Sequence, residues 1–247
     1  MIKMSGDDQH AFEEMMSLAR QQPDRFCVIE AQVDVATQME FFDLSATLSE
    51  KEDKRSTDTL LGLLYDVDSD EETTKEILVL LAGKSEDVAA FRAIESYLEI
   101  TTAYLRPWCM LAYQQARLML EASLLEESKI FISSALGGKA NKIRYSVALR
   151  LKTRNEFDSF QKDITEKELA YSLSKAESVL ESVTFSENTA FVSCLIPIFV
   201  YLQPIFDGAI EEINQYGDFL SSKCIITNEK FLTLADLDGL DSALTGK

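Results

Sequence analysis

From residue 142 to residue 154 the chain alternates between two kinds of side chain. Even positions carry Lys142, Arg144, Ser146, Ala148, Arg150, Lys152 and Arg154. Odd positions carry Ile143, Tyr145, Val147, Leu149, Leu151 and Thr153. Successive side chains of a strand point to opposite faces. The pattern therefore predicts a strand with one apolar, core-facing side and five cations on the other. No Asp or Glu occurs between Glu127 and Glu156, and this stretch also holds Lys129 and Lys139, for a local charge of +7. Cations aligned in this way would attract a phosphate backbone, a nucleotide or an acidic protein surface. The candidate docking residues are Lys139, Lys142, Arg144, Arg150, Lys152 and Arg154. The competing reading is a solvated face that pairs with carboxylates of the same chain.

Other motifs carry less chemistry. Gly137-Gly138-Lys139-Ala140-Asn141-Lys142 resembles a phosphate-binding loop in composition only. It lacks the GxxxxGK[ST] spacing and joins two predicted strands, so it reads as a tight turn. Asp66, Asp68 and Asp70 match positions one, three and five of a calcium-binding EF-hand loop. Position six is then Glu71, where glycine makes the sharp turn, and position twelve is Ile77, where a bidentate glutamate is needed. These acids fit better as negative charge before a helix N-terminus. Cys27, Cys109, Cys194 and Cys224 lie far apart with no CxxC pair, and they read as reduced, buried thiols. His10 is the only histidine. A single histidine rules out chemistry that needs two and weakens Ser-His-Asp and Cys-His readings. Trp108, beside Pro107 in a helical pattern, reads as a core or domain-interface anchor. No catalytic residue, metal site or cofactor is expected.

The chain carries 42 acids against 24 bases, a net charge of −18. A surface that acidic repels nucleic acid as a rule, which makes the basic strand the exception to be explained. The N-terminal residues contain no apolar run of signal-peptide length. No stretch reaches the roughly 18 uncharged apolar residues of a membrane span. A soluble protein of the cytoplasm, with no membrane partner, is the expectation.

The elements that would position these residues change character along the chain. The first half has helical periodicity. Phe12, Met15, Met16 and Ala19 share one face. Short helices are predicted over 56–65 and 74–82. Ser85 would cap a helix bearing Val88, Phe91, Ile94 and Leu98, and Pro107 would open another that runs to 124. The second half reads as strands at 129–136 and 142–151 joined as a hairpin. A helix follows with a Thr165/Glu168 capping box. Next come a second hairpin turning at 186–188, a helix from Pro204, and a strand at 224–227. Residues 231–244 would form a last short helix. Taken from the second strand the order is βαββαβ, the split-βαβ pattern of ferredoxin-like domains, with one strand added in front.

The segment LRPWCMLAYQQARLML, residues 105–120, resembles the second helix of a HEAT-type repeat, and the resemblance spans about 85–124. It implies a helical hairpin of the kind that stacks into interaction surfaces. The expected fold is α+β: a helical, HEAT-like domain over 1–125, then a ferredoxin-like α/β sandwich with one extra strand over 126–247 (ββαββαβ). The expected function is that of a non-enzymatic adaptor or regulatory protein. It would act through protein–protein contacts, with the basic strand at 139–154 docking an anionic surface. The alternatives are an RNA- or ribonucleoprotein-associated factor using the same strand, and a small-molecule sensor built on the ferredoxin-like domain.

Overall fold

A computed structural model describes residues 17–18, 20–51, 53–84, 86–125, 129–153 and 156–237. The predicted N-terminal helix face at 12–19 and His10 lie outside these residues, apart from an α-helical turn that includes Ser17, Leu18 and Arg20. The fold is α+β, and the chain divides into two compact units. Asp24–Ala140 forms one. Asn141–Lys247, with the described residues up to Pro23, forms the other. The division thus falls later than the expected boundary near 125.

The first unit is mainly helical. After β1 (Phe26–Val28) come α1 (Val35–Glu50), α2 (Thr57–Leu64), α3 (Glu71–Ala82), α4 (Val88–Ile100) and α5 (Arg106–Leu124). The short polar residues between the apolar runs start these helices. Asp34, Ser56, Asp70 and Asp87 each occupy an N-cap and accept a backbone N–H of the first turn. Each such cap contributes about 1 kcal/mol. The cap of α4 is Asp87, two residues after the predicted Ser85. Its carboxylate also receives a 2.5 Å hydrogen bond from Thr57 Oγ1 at the start of α2. Pro107 lies in the first turn of α5 as predicted. Arg106 donates to the Leu98 carbonyl (3.1 Å), satisfying an orphan acceptor at the end of α4. Phe41, Leu60, Leu78, Ile94, Trp108 and Leu111 form the centre of the core.

Residues 129–136 do not form a hairpin with 142–151. Instead β2 (Ile130–Ile132) pairs in parallel with β1, Phe26 opposite Ile130 and Val28 opposite Ile132. The extra strand expected in front of the sandwich therefore belongs to the helical unit. Its partner is about a hundred residues away in sequence, beyond the reach of any local pattern. Gln38 fastens this region. Its buried amide donates to the carbonyls of Val33 (2.6 Å) and Ser134 (3.1 Å) and accepts from Ser133 Oγ. The loop then turns at Gly137, where φ is +65° and an added Cβ would stand 2.3 Å from the Glu30 carbonyl oxygen. Only glycine fits there. The two-residue strand β3 (Gly138–Lys139) follows.

The second unit is a curled antiparallel sheet with two helices: β4 (Lys142–Leu151), α6 (Ser159–Lys175), β5 (Val179–Ser186), β6 (Thr189–Pro197), α7 (Leu202–Gln215) and β7 (Leu220–Thr227). Its strands lie in the order β7-β4-β6-β5, each antiparallel to its neighbour. Leu169 and Leu173 of α6 and Phe206, Ile210 and Ile213 of α7 pack on Val147, Leu149 and Leu151, so both helices cover the odd-numbered face of β4. The capping box of α6 is Asp158/Gln161, not Thr165/Glu168. Asp158 Oδ1 accepts from Gln161 N (2.8 Å) and Gln161 Oε1 accepts from Asp158 N (3.1 Å). Thr165 is buried in mid-helix. The β5–β6 turn falls at Glu187-Asn188 as expected, with Glu187 at φ 51°.

The opposite face of the sheet is also covered. Residues 231–237, ending in a helical turn at 234–237, cross it. Leu232 and Leu237 pack with Ala148, Phe191 and Ile225, and the backbone N–H of Leu232 donates to Ser146 Oγ (3.0 Å). The Lys230–Asp236 ion pair and the Thr233 hydroxyl tie the segment to itself. Among the described residues no helix is long and apolar enough to cross a membrane.

Candidate functional site

The predicted docking residues do not share one open face. The parity of β4 holds, because its odd positions from Tyr145 to Leu151 pack into the core. Its even face is interrupted where Ser146 and Ala148 lie buried beneath residues 231–237. Lys142 and Arg144 stand at one end of this interruption, Arg150 and Lys152 at the other.

Two of these cations are held by carboxylates of their own unit. Arg144 makes a two-pronged contact with Glu181, Nε to Oε2 at 2.7 Å and Nη2 to Oε1 at 2.9 Å. Glu181 lies where β5 bulges between Leu180 and Ser182. A bulge re-aims a side chain relative to a regular strand, and here the carboxylate also accepts from Ser193 Oγ (2.8 Å) on β6, the strand between them. Lys152 pairs with Asp218 at the turn before β7. Lys142 and Arg150 are half-buried opposite Pro197 and Thr189. Lys139 is exposed on β3 of the helical unit, and Arg154 lies outside the described residues. In-chain pairing therefore accounts for Arg144 and Lys152.

The acids at 66–70 serve local structure. Asp66 Oδ1 accepts from Asp68 N (3.1 Å), and Asp70 caps α3 through Thr73 N (2.8 Å); the Thr73 hydroxyl, with that N–H, holds the Asp70 carboxyl below the ordinary carboxylate range. Among the described residues no group of three or more His, Cys, Asp or Glu could hold a metal ion. All four cysteines are thiols. Burial pushes Cys109 and Cys194 up to about 12, so neither is a nucleophile at neutral pH. Trp108 is a core anchor of the helical unit. Its ring meets Phe41 edge-on at 5.3 Å, its Nε1–H donates to the Lys75 carbonyl (3.3 Å), and the Lys75 ammonium lies 5.1 Å from its centroid.

The helical unit has a surface that periodicity did not reveal. The loop after α2 and the end of α4 with the turn that follows enclose an open groove of about 780 Å³. Its apolar lining is exposed to an unusual degree: Val67 is 98% exposed, Tyr104 71%, Ile100 67% and Tyr65 49%. Tyr65 is fixed in place, its hydroxyl donating to the Ala93 carbonyl (3.3 Å) and its ring meeting Tyr97 edge-on at 5.9 Å. Ser69 Oγ ties the loop back to the Leu63 carbonyl at 2.8 Å. The loop side of the groove is thus anchored at Tyr65 and Ser69, and Asp66 and Glu71 are among the lining residues. The sequence signal was Val67 set between Asp66 and Asp68, an apolar residue in an acidic turn with no periodic partner. Such a wall can take up apolar side chains of a binding segment. No protein-family model matches this sequence, and no curated protein is detectably similar to it.

Proposed function

We propose that this protein is a non-enzymatic adaptor or regulatory protein whose helical unit binds a partner protein in the groove between the α2–α3 loop and the end of α4. The observation that carries this reading is the apolar wall of Tyr65, Val67, Ile100 and Tyr104 left open to solvent, with Tyr65 anchored through its hydroxyl. Large exposed apolar groups gathered in one groove mark interaction surfaces. The packing of α4 against α5 supports the HEAT-like reading of residues 85–124. The ferredoxin-like reading of the second unit is supported by the antiparallel order β7-β4-β6-β5, with α6 and α7 on one face.

The docking role of the basic strand is a weaker part of the proposal. Arg144 and Lys152 have partners in the chain, and Ser146 and Ala148 are covered. The same observations weaken the RNA alternative. The test is affinity capture from native lysate, with and without nuclease, for the wild-type chain and for Val67→Ser/Tyr104→Ser. A nuclease-resistant protein captured by the wild type and lost from the variant is the expected result. RNA captured equally by both would overturn the adaptor reading in favour of a nucleic-acid-associated one.

A further inference from the structure

The charge around the groove specifies what it takes, granted the reading of the groove as a docking surface. The charged part of its lining has one sign: Asp66 and Glu71 contribute, and no Lys or Arg does. From Leu64 to Thr74 the chain carries five acids and no base. Two cations approach from outside, and both are engaged. The Lys75 ammonium lies 5.9 Å from the Tyr104 ring centroid but sits 3.1 Å from Glu71 and 3.3 Å from Glu72. Arg106 turns its guanidinium to the Leu98 carbonyl. The five acids over 64–74 still outnumber these two cations, so an acidic segment entering this groove would meet net like-charge repulsion. A purely apolar one would strip water from carboxylates without replacing it. A segment bearing both apolar side chains and cations avoids both penalties, and its cations can also lie on the exposed tyrosine faces.

We infer that the groove binds a cationic, apolar peptide segment of a partner protein. Apolar side chains rest on Val67, Ile100 and Tyr104, and Lys or Arg side chains meet Asp66 and join Lys75 at Glu71. A groove of about 780 Å³ takes a few side chains of one short segment.

The test titrates the full-length chain with three labelled peptides of equal length: one of Leu and Lys at amphipathic-helix spacing, one with Glu replacing Lys, and one with Ser replacing Leu. The Leu/Lys peptide should bind at least about tenfold more tightly than either control. Its affinity should fall with added salt and drop about tenfold in Asp66→Asn/Glu71→Gln, the size typical of a hot-spot loss. Hydrogen exchange on the wild-type complex should show protection at residues 64–74 and 97–105. Equal binding of the Leu/Glu peptide, or no change in Asp66→Asn/Glu71→Gln, would overturn the charge assignment while leaving the docking reading in place. Unchanged binding by a folded Val67→Ser/Tyr104→Ser variant, or protection elsewhere, would overturn both.

Discussion

Ala148, on the sheet face turned away from α6 and α7, is buried beneath Leu232 and Leu237 of the same unit, while Val67, on the loop after α2, stands almost wholly in water. Both residues lie on surfaces that their nearest secondary structure leaves uncovered. The two helices cover one face of the sheet, so the other would leave Phe191 and Ile225 exposed with Ala148. The second unit solves this with its own residues 231–237. In the helical unit no described residue crosses the wall of Tyr65, Val67, Ile100 and Tyr104. An apolar surface covered in cis stabilises its unit. One left open is suited to cover in trans.

The largest effect that would sharpen this contrast lies in the core behind the groove. Trp108→Ala removes the ring that packs on Phe41 and should cost the helical unit about 3–5 kcal/mol. Urea unfolding should show it, and Val67→Ser should by comparison change stability by less than about 0.5 kcal/mol. Next comes the covering segment. Leu237→Ala should destabilise the sheet unit by about 2–3 kcal/mol and speed hydrogen exchange in β4 and β7. Its acid response has a defined sign. Lys230 and Thr233 lower the Asp236 carboxyl to about 2 from an ordinary 3.8. That tie contributes fully above pH 3.8 and is lost as the pH falls towards 2. In Asp236→Asn, loosening of residues 231–237 should no longer follow that titration.

A smaller effect is expected on the basic strand. Arg144→Ala should cost about 1 kcal/mol by removing the pair with Glu181. If the arginine served only a partner, its loss would leave stability untouched. The smallest effect concerns the thiols. A disulfide reagent at pH 8 should leave Cys109 and Cys194 unmodified in the native protein and label them after denaturation, since burial holds both near 12. Rapid native labelling of either would mean that its core opens readily.

The parts of the fold legible in the sequence were those set by local period and local chemistry. The alternation in β4 identified its core face from Tyr145 to Leu151, and Pro107 marked the start of α5. The βαββαβ order also followed from runs and turns. What was missed depended on distance or on competition between similar signals. Ile130–Ile132 looked like half of a hairpin with β4, but its partner is Phe26–Val28. Asp158-x-x-Gln161 and Thr165-x-x-Glu168 are both acceptable capping boxes, and the earlier one starts α6 because residues 159–164 are already helical. The basic face was correct in parity yet misjudged in exposure. Alternation cannot reveal that residues 231–237 return over Ser146, or that a bulge turns Glu181 towards Arg144. The groove was missed because its wall comes from separate segments, and only Val67 between two aspartates hinted at it.

The most direct test of the account compares the open surface with the second unit in one experiment. A photo-cross-linking amino acid is placed at Val67 in one full-length variant and at Val179, the exposed start of strand β5, in another, and both are irradiated in native lysate. The account predicts a discrete protein adduct from position 67 and none from position 179. An adduct from position 179 with none from position 67 would contradict it, and would move the partner-binding surface from the helical groove to the sheet.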